Sequence, residues 1–247
     1  MGSDDAGIVC AKDGGMRLLL MSNSTAPGRG YLEHVTEPLG EILDGVRTVA
    51  FVPFALADHD GYTATVAGAL ARFGVRVVGA HSGDPASVVA AADAVFVGGG
   101  NTFRLVDALY TTGLIGRVPE LVRAGMPYLG SSAGTNVATP SLRTTNDMPI
   151  VQPPSFTTFG LVPFQINPHY LDPDPSSTHQ GETRDERLRQ YLEENTTPVL
   201  AMREGTWLTR TGDRLTLAGD VRGGRLYRRG AEPTEIPAPA DLSELLN

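Results

Sequence analysis

The sequence predicts an α/β fold with a mostly parallel central sheet that is covered by helices on both faces. Short, continuous apolar runs alternate with helical stretches along the first half of the chain. A strand buried on both faces is apolar throughout, which is typical of parallel strands in α/β proteins. The 247 residues are 41% hydrophobic and 19% charged, an ordinary globular composition. A single fold of this size buries roughly 70–75% of its unfolded surface, so a full core is available.

The first half of the chain alternates predicted strands and helices. Apolar runs rich in Leu, Val and Phe predict strands at residues 17–21, 48–54, 75–79, 94–97 and 127–129. The stretches between them mix apolar and polar residues and predict helices at residues 31–43, 62–73, 85–92, 102–110 and 115–124. We therefore expect consecutive strand–helix units.

The second half of the chain has a different pattern. Residues 139–164 are rich in Thr, Pro and Ser, which predicts loops over one edge of the sheet. A charged helix is expected at 183–195, a buried strand at 198–201, and a hairpin from 206–211 and 214–218 around Thr211-Gly212-Asp213. We expect three regions: a flexible extension at 1–15, one α/β domain at 16–230, and a loose, proline-rich tail at 231–247.

Composition excludes several classes of protein. Twenty basic and 28 acidic residues give a net charge of −8, which argues against a broad surface for nucleic acids or anionic membranes. Cys10 is the only cysteine, so neither an internal disulfide nor a cysteine zinc site is expected. Lys12, the only lysine, lies outside the predicted domain, so a pyridoxal or Walker-type enzyme is not expected. No apolar run approaches ~20 residues and residues 1–15 do not resemble a secretory signal, so we expect a cytoplasmic protein.

Polar and glycine residues follow several of the predicted strands. Ligand sites of open parallel sheets lie beyond the carboxyl ends of their strands. The segments expected there are Ser22-Asn23-Ser24, Gly98 to Asn101, Gly130 to Gly134, Asn167-Pro168-His169, and Arg203-Glu204. Their convergence predicts a site at this edge.

The segment Gly130-Ser131-Ser132-Ala133-Gly134 fits the G-x-S-x-G nucleophile elbow. In such a turn the serine hydroxyl of Ser132 is exposed and the following N–H, on Ala133, becomes an oxyanion donor. A glycine-rich turn that only caps a helix is the alternative. The position between a strand and a helix favours a nucleophile.

A nucleophilic serine needs a base, and the sequence has five histidines. His169 follows an apolar run, and Pro168 stiffens the step before it. We therefore favour His169 as the partner of Ser132. The run Gly98 to Asn101 lacks the spacing of a dinucleotide site, so we expect it to supply a second oxyanion donor, from Gly99 or Gly100.

Taken together, these motifs resemble peptidase E, the α-aspartyl dipeptidase family of serine peptidases. The matching runs, in chain order, are Leu20-Met21-Ser22-Asn23-Ser24, Val97-Gly98-Gly99-Gly100-Asn101-Thr102, Gly130-Ser131-Ser132-Ala133-Gly134, Thr145-Asn146-Asp147-Met148-Pro149 and Asn167-Pro168-His169. The resemblance covers residues from about 16 to about 217. It implies a three-layer α/β sandwich related to class I glutamine amidotransferases. It also implies hydrolysis of dipeptides with an N-terminal aspartate, with Ser132 as nucleophile and His169 as base.

The resemblance leaves two candidates for the triad acid, Asp147 and Glu204. Asp147 fits the chain order serine, acid, histidine, but it lies in a proline- and threonine-rich loop. Glu204 follows the strand at 198–201 and should reach the edge where His169 lies. We favour Glu204, with Asp147 assisting or binding the α-ammonium group of the substrate.

The substrate carboxylate needs a partner, and arginine can bind it through two hydrogen bonds. Arg184 opens a helix at a corner that could fold over the site, so we expect it to read the aspartate, with Asn101 and Ser24 as neutral donors. Neither a metal nor another cofactor is expected. The expected partner is a small peptide, and the chain is expected to be a monomer or a homodimer.

Two alternatives stay open at this point. One is a cyanophycinase-like enzyme that cleaves β-aspartyl–arginine links with the same serine elbow. The other is a binding module without activity, because a fold does not determine function.

Overall fold

The structure is a computed structural model that describes residues 15–26, 28–173, 176, 178 and 181–247. The predicted extension at 1–15 therefore lies, except for Gly15, outside the described residues. The strands are β1 (Arg17–Met21), β2 (Thr48–Val52), β3 (Arg76–Gly79), β4 (Ala94–Val97), β5 (Tyr128–Ser131), β6 (Gln165–Tyr170), β7 (Val199–Arg203), β8 (Thr206–Thr211), β9 (Arg214–Gly219), β10 (Gly224–Tyr227), β11 (Thr234–Ile236) and β12 (Ala240–Asp241). The α-helices are α1 (Thr36–Ile42), α2 (His59–Leu70), α3 (Pro85–Ala90), α4 (Thr102–Thr111), α5 (Leu114–Arg123), α6 (Ala133–Asn136) and α7 (Arg184–Glu194).

The main sheet has the strand order β12-β9-β8-β1-β5-β4-β2-β3. The neighbouring strands β1, β5, β4, β2 and β3 are parallel to one another. At the other end of the sheet, β8, β9 and β12 are antiparallel to their neighbours. The mixed α/β architecture with a largely parallel central sheet is therefore confirmed. The carboxyl ends of β1, β4 and β5 lie side by side, which brings three of the predicted polar segments together.

Both faces of the main sheet are buried, as the apolar runs predicted. Along β1, Leu18 and Leu20 belong to one core, whereas Leu19 and Met21 belong to the other. Side chains alternate between the faces of a strand, so continuous apolar sequence fills both cores. On the first face lie Val89 of α3, Leu105 of α4 and Val118 of α5. On the second lie Leu39 of α1 with Val66 and Leu70 of α2.

A second, four-stranded sheet has the order β11-β10-β7-β6. Leu200 and Met202 of β7 join the first core of the main sheet. On the other face, Leu188 and Leu192 of α7 pack with Tyr170 and Tyr227. This sheet carries two further predicted segments: His169 lies in β6, and Glu204 directly follows β7.

Two sequence-based expectations about structure are wrong. The tail at 231–247 is not loose, because β11 pairs with β10, β12 pairs with β9, and Leu242 and Leu245 are buried in the core. The helix expected at 31–43 is shorter: a 3₁₀ turn spans Glu33–Val35 and α1 begins at Thr36. Pro38 fits this start, because it lies in the first turn of α1, where the missing N–H of a proline costs no hydrogen bond within the helix.

Candidate active site

Ser132 lies in a sharp turn between β5 and α6. Its backbone has φ 53° and ψ −108°, a conformation that non-glycine residues rarely adopt. The N–H of Ser132 donates to the carbonyl of Met21 at 3.0 Å, which ties the turn to the end of β1. A β-carbon on Gly134 would lie only 2.0 Å from the carbonyl oxygen of Val97, so this position requires glycine. The turn thus has the backbone strain of a nucleophile elbow.

Ser132, His169 and Glu204 form a hydrogen-bonded chain. Ser132 Oγ lies 2.9 Å from His169 Nε2, and His169 Nδ1 lies 2.7 Å from Glu204 Oε1. The side chains of His169 and Glu204 are 34% and 38% exposed, so the chain opens to solvent. A neutral imidazole with its hydrogen on Nδ1 can donate to Glu204 and accept the serine proton at Nε2.

The backbone of His169 is held in a strained conformation by two side chains. His169 has φ 54°, in the left-handed region. Its N–H donates to Ser22 Oγ at 2.9 Å, and the fully buried Ser22 hydroxyl donates to the carbonyl of Met202 at 2.9 Å. The carbonyl of His169 accepts a hydrogen bond from the Arg184 guanidinium. These contacts fix where the imidazole points.

The glycine loop after β4 lies directly against the serine. A β-carbon on Gly99 would lie 3.0 Å from Ser132 Cβ. Of the two expected oxyanion donors in this loop, the Gly99 N–H already has an acceptor, because it donates to the Tyr62 hydroxyl at 2.8 Å. The Gly100 N–H makes no hydrogen bond to any residue the structure describes. Gly100 has φ 134°, and a β-carbon there would lie 2.6 Å from the carbonyl oxygen of Ala55.

Ala133 begins α6, and the first N–H groups of a helix have no partner within it. Within the described part of the chain, the Ala133 N–H has no acceptor elsewhere either. The N–H groups of Ala133, directly after Ser132, and of Gly100, in the glycine loop that lies against Ser132, are therefore both without an acceptor among the described residues.

Asp147 is not hydrogen-bonded to His169, so Glu204 is the one of the two candidate acids that contacts the imidazole; the catalytic role of each stays a prediction. Asp147 Oδ2 accepts from the Thr102 N–H at 2.7 Å, from Thr102 Oγ1 at 2.6 Å and from Thr145 Oγ1 at 3.1 Å. It thereby caps the N-terminus of α4 and ties its own loop to the glycine loop. The sequence alone could not separate Asp147 from Glu204 because it does not give the direction of either side chain.

Arg184 is the expected substrate-binding residue that the structure brings to the triad. It is half-buried and is the first residue of α7, whose N-terminus is closed by a capping box formed by Thr183 and Glu186. Burial, together with Arg187, lowers the pKa of Arg184, and the nearby carboxylates of Glu204 and Asp147 partly oppose this. Arg184 therefore lies close enough to both candidate acids, Asp147 and Glu204, to interact with their charges.

The two expected neutral donors have other roles in this structure. The Asn101 side chain caps α4 by accepting from the Arg104 N–H at 3.0 Å, and it donates to the carbonyl of Met148 at 2.9 Å. Ser24 lies beside Tyr31, and its carbonyl accepts from the Leu32 N–H at 2.7 Å. Neither residue is hydrogen-bonded to Ser132 or His169.

A cavity of about 390 Å³ opens beside Glu204. Charged residues line most of it: Arg29, Asp172, Arg203, Asp220 and Arg222. Arg203, which directly precedes Glu204, pairs with Asp172 at 2.5 Å and with Glu235 at 3.0 Å.

Residues that sequence reasoning missed are Ser22 and Tyr62. Ser22 lies in a segment that was expected at this edge of the sheet. No sequence pattern, however, indicates that its hydroxyl accepts a hydrogen bond from the backbone N–H of His169, 147 residues further along the chain. Tyr62 lies in a predicted helix without any motif.

Two further observations concern metal binding and membrane-spanning helices in the described residues. No cluster of three or more His, Cys, Asp or Glu in this part of the chain could hold a metal ion. The helices described here are all too short or too polar to cross a membrane.

Comparisons with known proteins identify the family of this chain. Residues 18–218 match the model of a family described as Peptidase family S51. The chain is 63% identical over 233 residues to Peptidase E of Streptomyces coelicolor (94% of this chain, 96% of the relative). It is 50% identical over 233 residues to a probable alpha-aspartyl dipeptidase of Drosophila melanogaster (93% and 97%).

Solved structures support the fold. A putative Peptidase E protein from Listeria monocytogenes EGD-e has a TM-score of 0.64 at 21% identity, covering 83% of this chain and 98% of that one. A peptidase from an acI-B1 Actinobacterium has a TM-score of 0.66 at 18% identity, covering 93% and 97%. With the serine elbow, the hydrogen-bonded His169 and the sequence matches in agreement, this chain belongs to peptidase family S51.

Proposed function

We propose that this protein is a serine-type aspartyl dipeptidase that hydrolyses dipeptides with an N-terminal aspartate. The observation that carries the proposal is the chain from Ser132 Oγ through His169 to Glu204, with distances of 2.9 and 2.7 Å. The names of its relatives, Peptidase E and probable alpha-aspartyl dipeptidase, support the same substrate class.

The mechanism follows from the proposed roles of these groups. His169 Nε2 takes the proton of Ser132 while Oγ attacks the carbonyl carbon of the N-terminal aspartate. The N–H groups of Ala133 and Gly100 stabilise the oxyanion. His169 then protonates the leaving amine and the peptide bond breaks, leaving an aspartyl ester on Ser132. Water, activated by His169, hydrolyses the ester. Glu204 keeps the ring hydrogen on Nδ1 and stabilises the imidazolium.

Substrate recognition is assigned to groups around the triad. Arg184 binds the side-chain carboxylate of the substrate, since its guanidinium is half-buried beside His169 and retains further N–H donors. Ser24 and the remaining amide hydrogen of Asn101 are secondary donors. Asp147 binds the α-ammonium group through Oδ1, because its described hydrogen bonds use Oδ2.

The finer features of the sequence-based account stay predictions. These are the three-layer sandwich related to class I glutamine amidotransferases, the cytoplasmic location, the absence of nucleic-acid partners, and a monomer or homodimer.

A substrate panel tests the proposal. We expect hydrolysis of α-Asp-Leu, little activity on Ala-Leu or Glu-Leu, and none in Ser132→Ala. Preferential cleavage of β-Asp-Arg would favour the cyanophycinase-like alternative. Undiminished α-Asp-Leu hydrolysis in Ser132→Ala would refute the mechanism, and failure of the wild-type protein to cleave any dipeptide would support a binding module.

A further inference from the structure

The glycine loop beside Ser132 is fixed by three successive hydrogen bonds. The Gly98 N–H donates to the carbonyl of Val52 at 3.1 Å and the Asn101 N–H to the carbonyl of Ala55 at 3.0 Å. Between them, the Gly99 N–H donates to the Tyr62 hydroxyl at 2.8 Å. Only this middle acceptor belongs to a side chain, so a single substitution can remove it.

Tyr62 is held independently of that hydrogen bond. It lies in α2, and its ring packs edge-on against Phe51, with centroids 4.8 Å apart and an interplanar angle of 87°. Burial raises the pKa of Tyr62. The phenol therefore stays protonated at neutral pH, and its oxygen offers a fixed, neutral acceptor to the loop.

The Gly99 amide lies one residue before the open donor. The peptide group between Gly99 and Gly100 carries the unpaired Gly100 N–H, and neither glycine has a side chain that could restrain it. The direction of this N–H therefore depends on how firmly the flanking peptide groups are held. An oxyanion donor must already point at the position where charge develops, because reorientation during the reaction costs rate.

We propose that Tyr62 is a positioning residue of the oxyanion hole. Its hydroxyl fixes the Gly99 amide, and this aims the Gly100 N–H at the developing oxyanion on the substrate carbonyl. The inference rests on the proposed function in taking Ser132 as the nucleophile.

Tyr62→Phe tests the proposal because it removes one oxygen and leaves the packed ring. Losing an oxyanion donor outright lowers kcat about 10²–10³-fold, so misaiming one should lower it about 10–100-fold with little change in KM. The matched control is Tyr110→Phe. It also removes one hydroxyl from a ring packed against the core, but this hydroxyl donates to the carbonyl of Thr157 at 3.1 Å and not to the glycine loop. We expect Tyr110→Phe to keep wild-type kcat.

Two further readouts separate positioning from general damage. The α-aminoboronic acid analogue of aspartate forms a tetrahedral adduct with Ser132, so Tyr62→Phe should weaken its binding by the factor lost in kcat. Binding of the product aspartate should not change. Phosphonylation of Ser132 by a simple fluorophosphonate should slow in parallel, and this readout does not depend on dipeptide specificity.

Amide hydrogen exchange in the wild-type protein tests the geometry without any variant. Gly99 should be protected and Gly100 should become protected only in the boronate complex. The proposal is overturned if Tyr62→Phe keeps full kcat and boronate affinity, if Tyr110→Phe loses as much, or if Gly99 exchanges freely. A wild-type protein that is phosphonylated normally but cleaves no Asp-X dipeptide would instead contradict the proposed substrate and leave the Tyr62 comparison valid.

Discussion

Replacing Glu204 with glutamine tests which carboxylate orients the catalytic imidazole. Glu204 Oε1 lies 2.7 Å from His169 Nδ1, and the other ring nitrogen faces Ser132 Oγ at 2.9 Å. A carboxylate can only accept, so it keeps the ring hydrogen on Nδ1 and leaves Nε2 free to act as base. A glutamine can turn its NH₂ group toward Nδ1, and the hydrogen then moves to Nε2, where it blocks proton transfer.

The size of the effect follows from the exposure of the pair. The equivalent carboxylate-to-amide change in a serine protease with a buried aspartate lowers kcat about 10⁴-fold. The Glu204 side chain is 38% exposed, so water can partly restore the productive tautomer. We therefore expect Glu204→Gln to lower kcat about 10²–10⁴-fold, equivalent to about 3–5 kcal/mol of activation free energy.

Steady-state hydrolysis of α-Asp-Leu, followed by release of free leucine, measures the loss. Asp147→Asn is the matched control, because Asp147 accepts hydrogen bonds from Thr102 and Thr145 and none from His169. We expect it to keep kcat within about tenfold, to raise KM, and to lose about 1 kcal/mol of stability through its helix cap. A kcat for Glu204→Gln above one-tenth of wild type, or an equal loss of kcat in Asp147→Asn, would refute the reasoning.

Three further predictions follow from individual contacts. Ser22→Ala frees the strained His169 backbone, which should lower kcat about 10–100-fold in dipeptide kinetics; unchanged kcat would contradict it. The change also removes the partner of the buried Met202 carbonyl, so thermal unfolding should show a loss of about 1–3 kcal/mol of stability. Arg184→Ala should lower kcat/KM for Asp-X roughly 30- to 1000-fold, whereas the exposed Arg187→Ala should not; equal losses would show that the aspartate is read elsewhere. Burial alone would raise the pKa of Asp185, but hydrogen bonds from Arg189 and Tyr227 lower it overall. A carboxylate whose pKa is lowered in the folded state stabilises the fold at pH values above its pKa in the unfolded state. This stabilisation is lost as pH falls through the pKa of the folded state. Asp185→Asn should therefore be less stable than wild type by roughly 1–3 kcal/mol at pH 7, measured by urea unfolding. The difference should shrink as pH falls below about 4 and disappear once Asp185 is protonated in the folded protein. A difference independent of pH would contradict this assignment.

Strands with a local pattern, either a continuous apolar run or the alternation of a hairpin, could be predicted closely from the sequence, and strands that depend on distant partners could not. The predicted bounds of β1, β4 and β8 are those of the structure. In contrast, β6 runs through Asn167-Pro168-His169, which does not look like a strand. The pairing of β6 with β7 is irregular between Asn167 and Tyr170, where a proline without an N–H is tolerated. The proline-rich tail predicted a loose segment because composition does not reveal its pairing with β9 and β10.

The proposed nucleophile and base could be predicted from local motifs, but their hydrogen-bond partners could not. Ser132 follows from the elbow pattern, and the structure brings His169 to it as expected. The choice between Gly99 and Gly100 required the position of Tyr62, which lies 37 residues before Gly99 in the chain. The choice of Glu204 over Asp147 required the direction of both side chains. Such contacts between segments far apart in sequence leave no local pattern.

Trapping the covalent intermediate tests the central claim most directly. Wild-type protein is mixed with excess α-Asp-Leu, quenched in acid within milliseconds, digested, and analysed by mass spectrometry. We predict a peptide containing Ser132 that is heavier by one aspartyl group, present in wild type and absent in Ser132→Ala. Rapid release of leucine by the wild-type protein with an aspartyl group on another residue, or the same turnover in Ser132→Ala, would contradict the account.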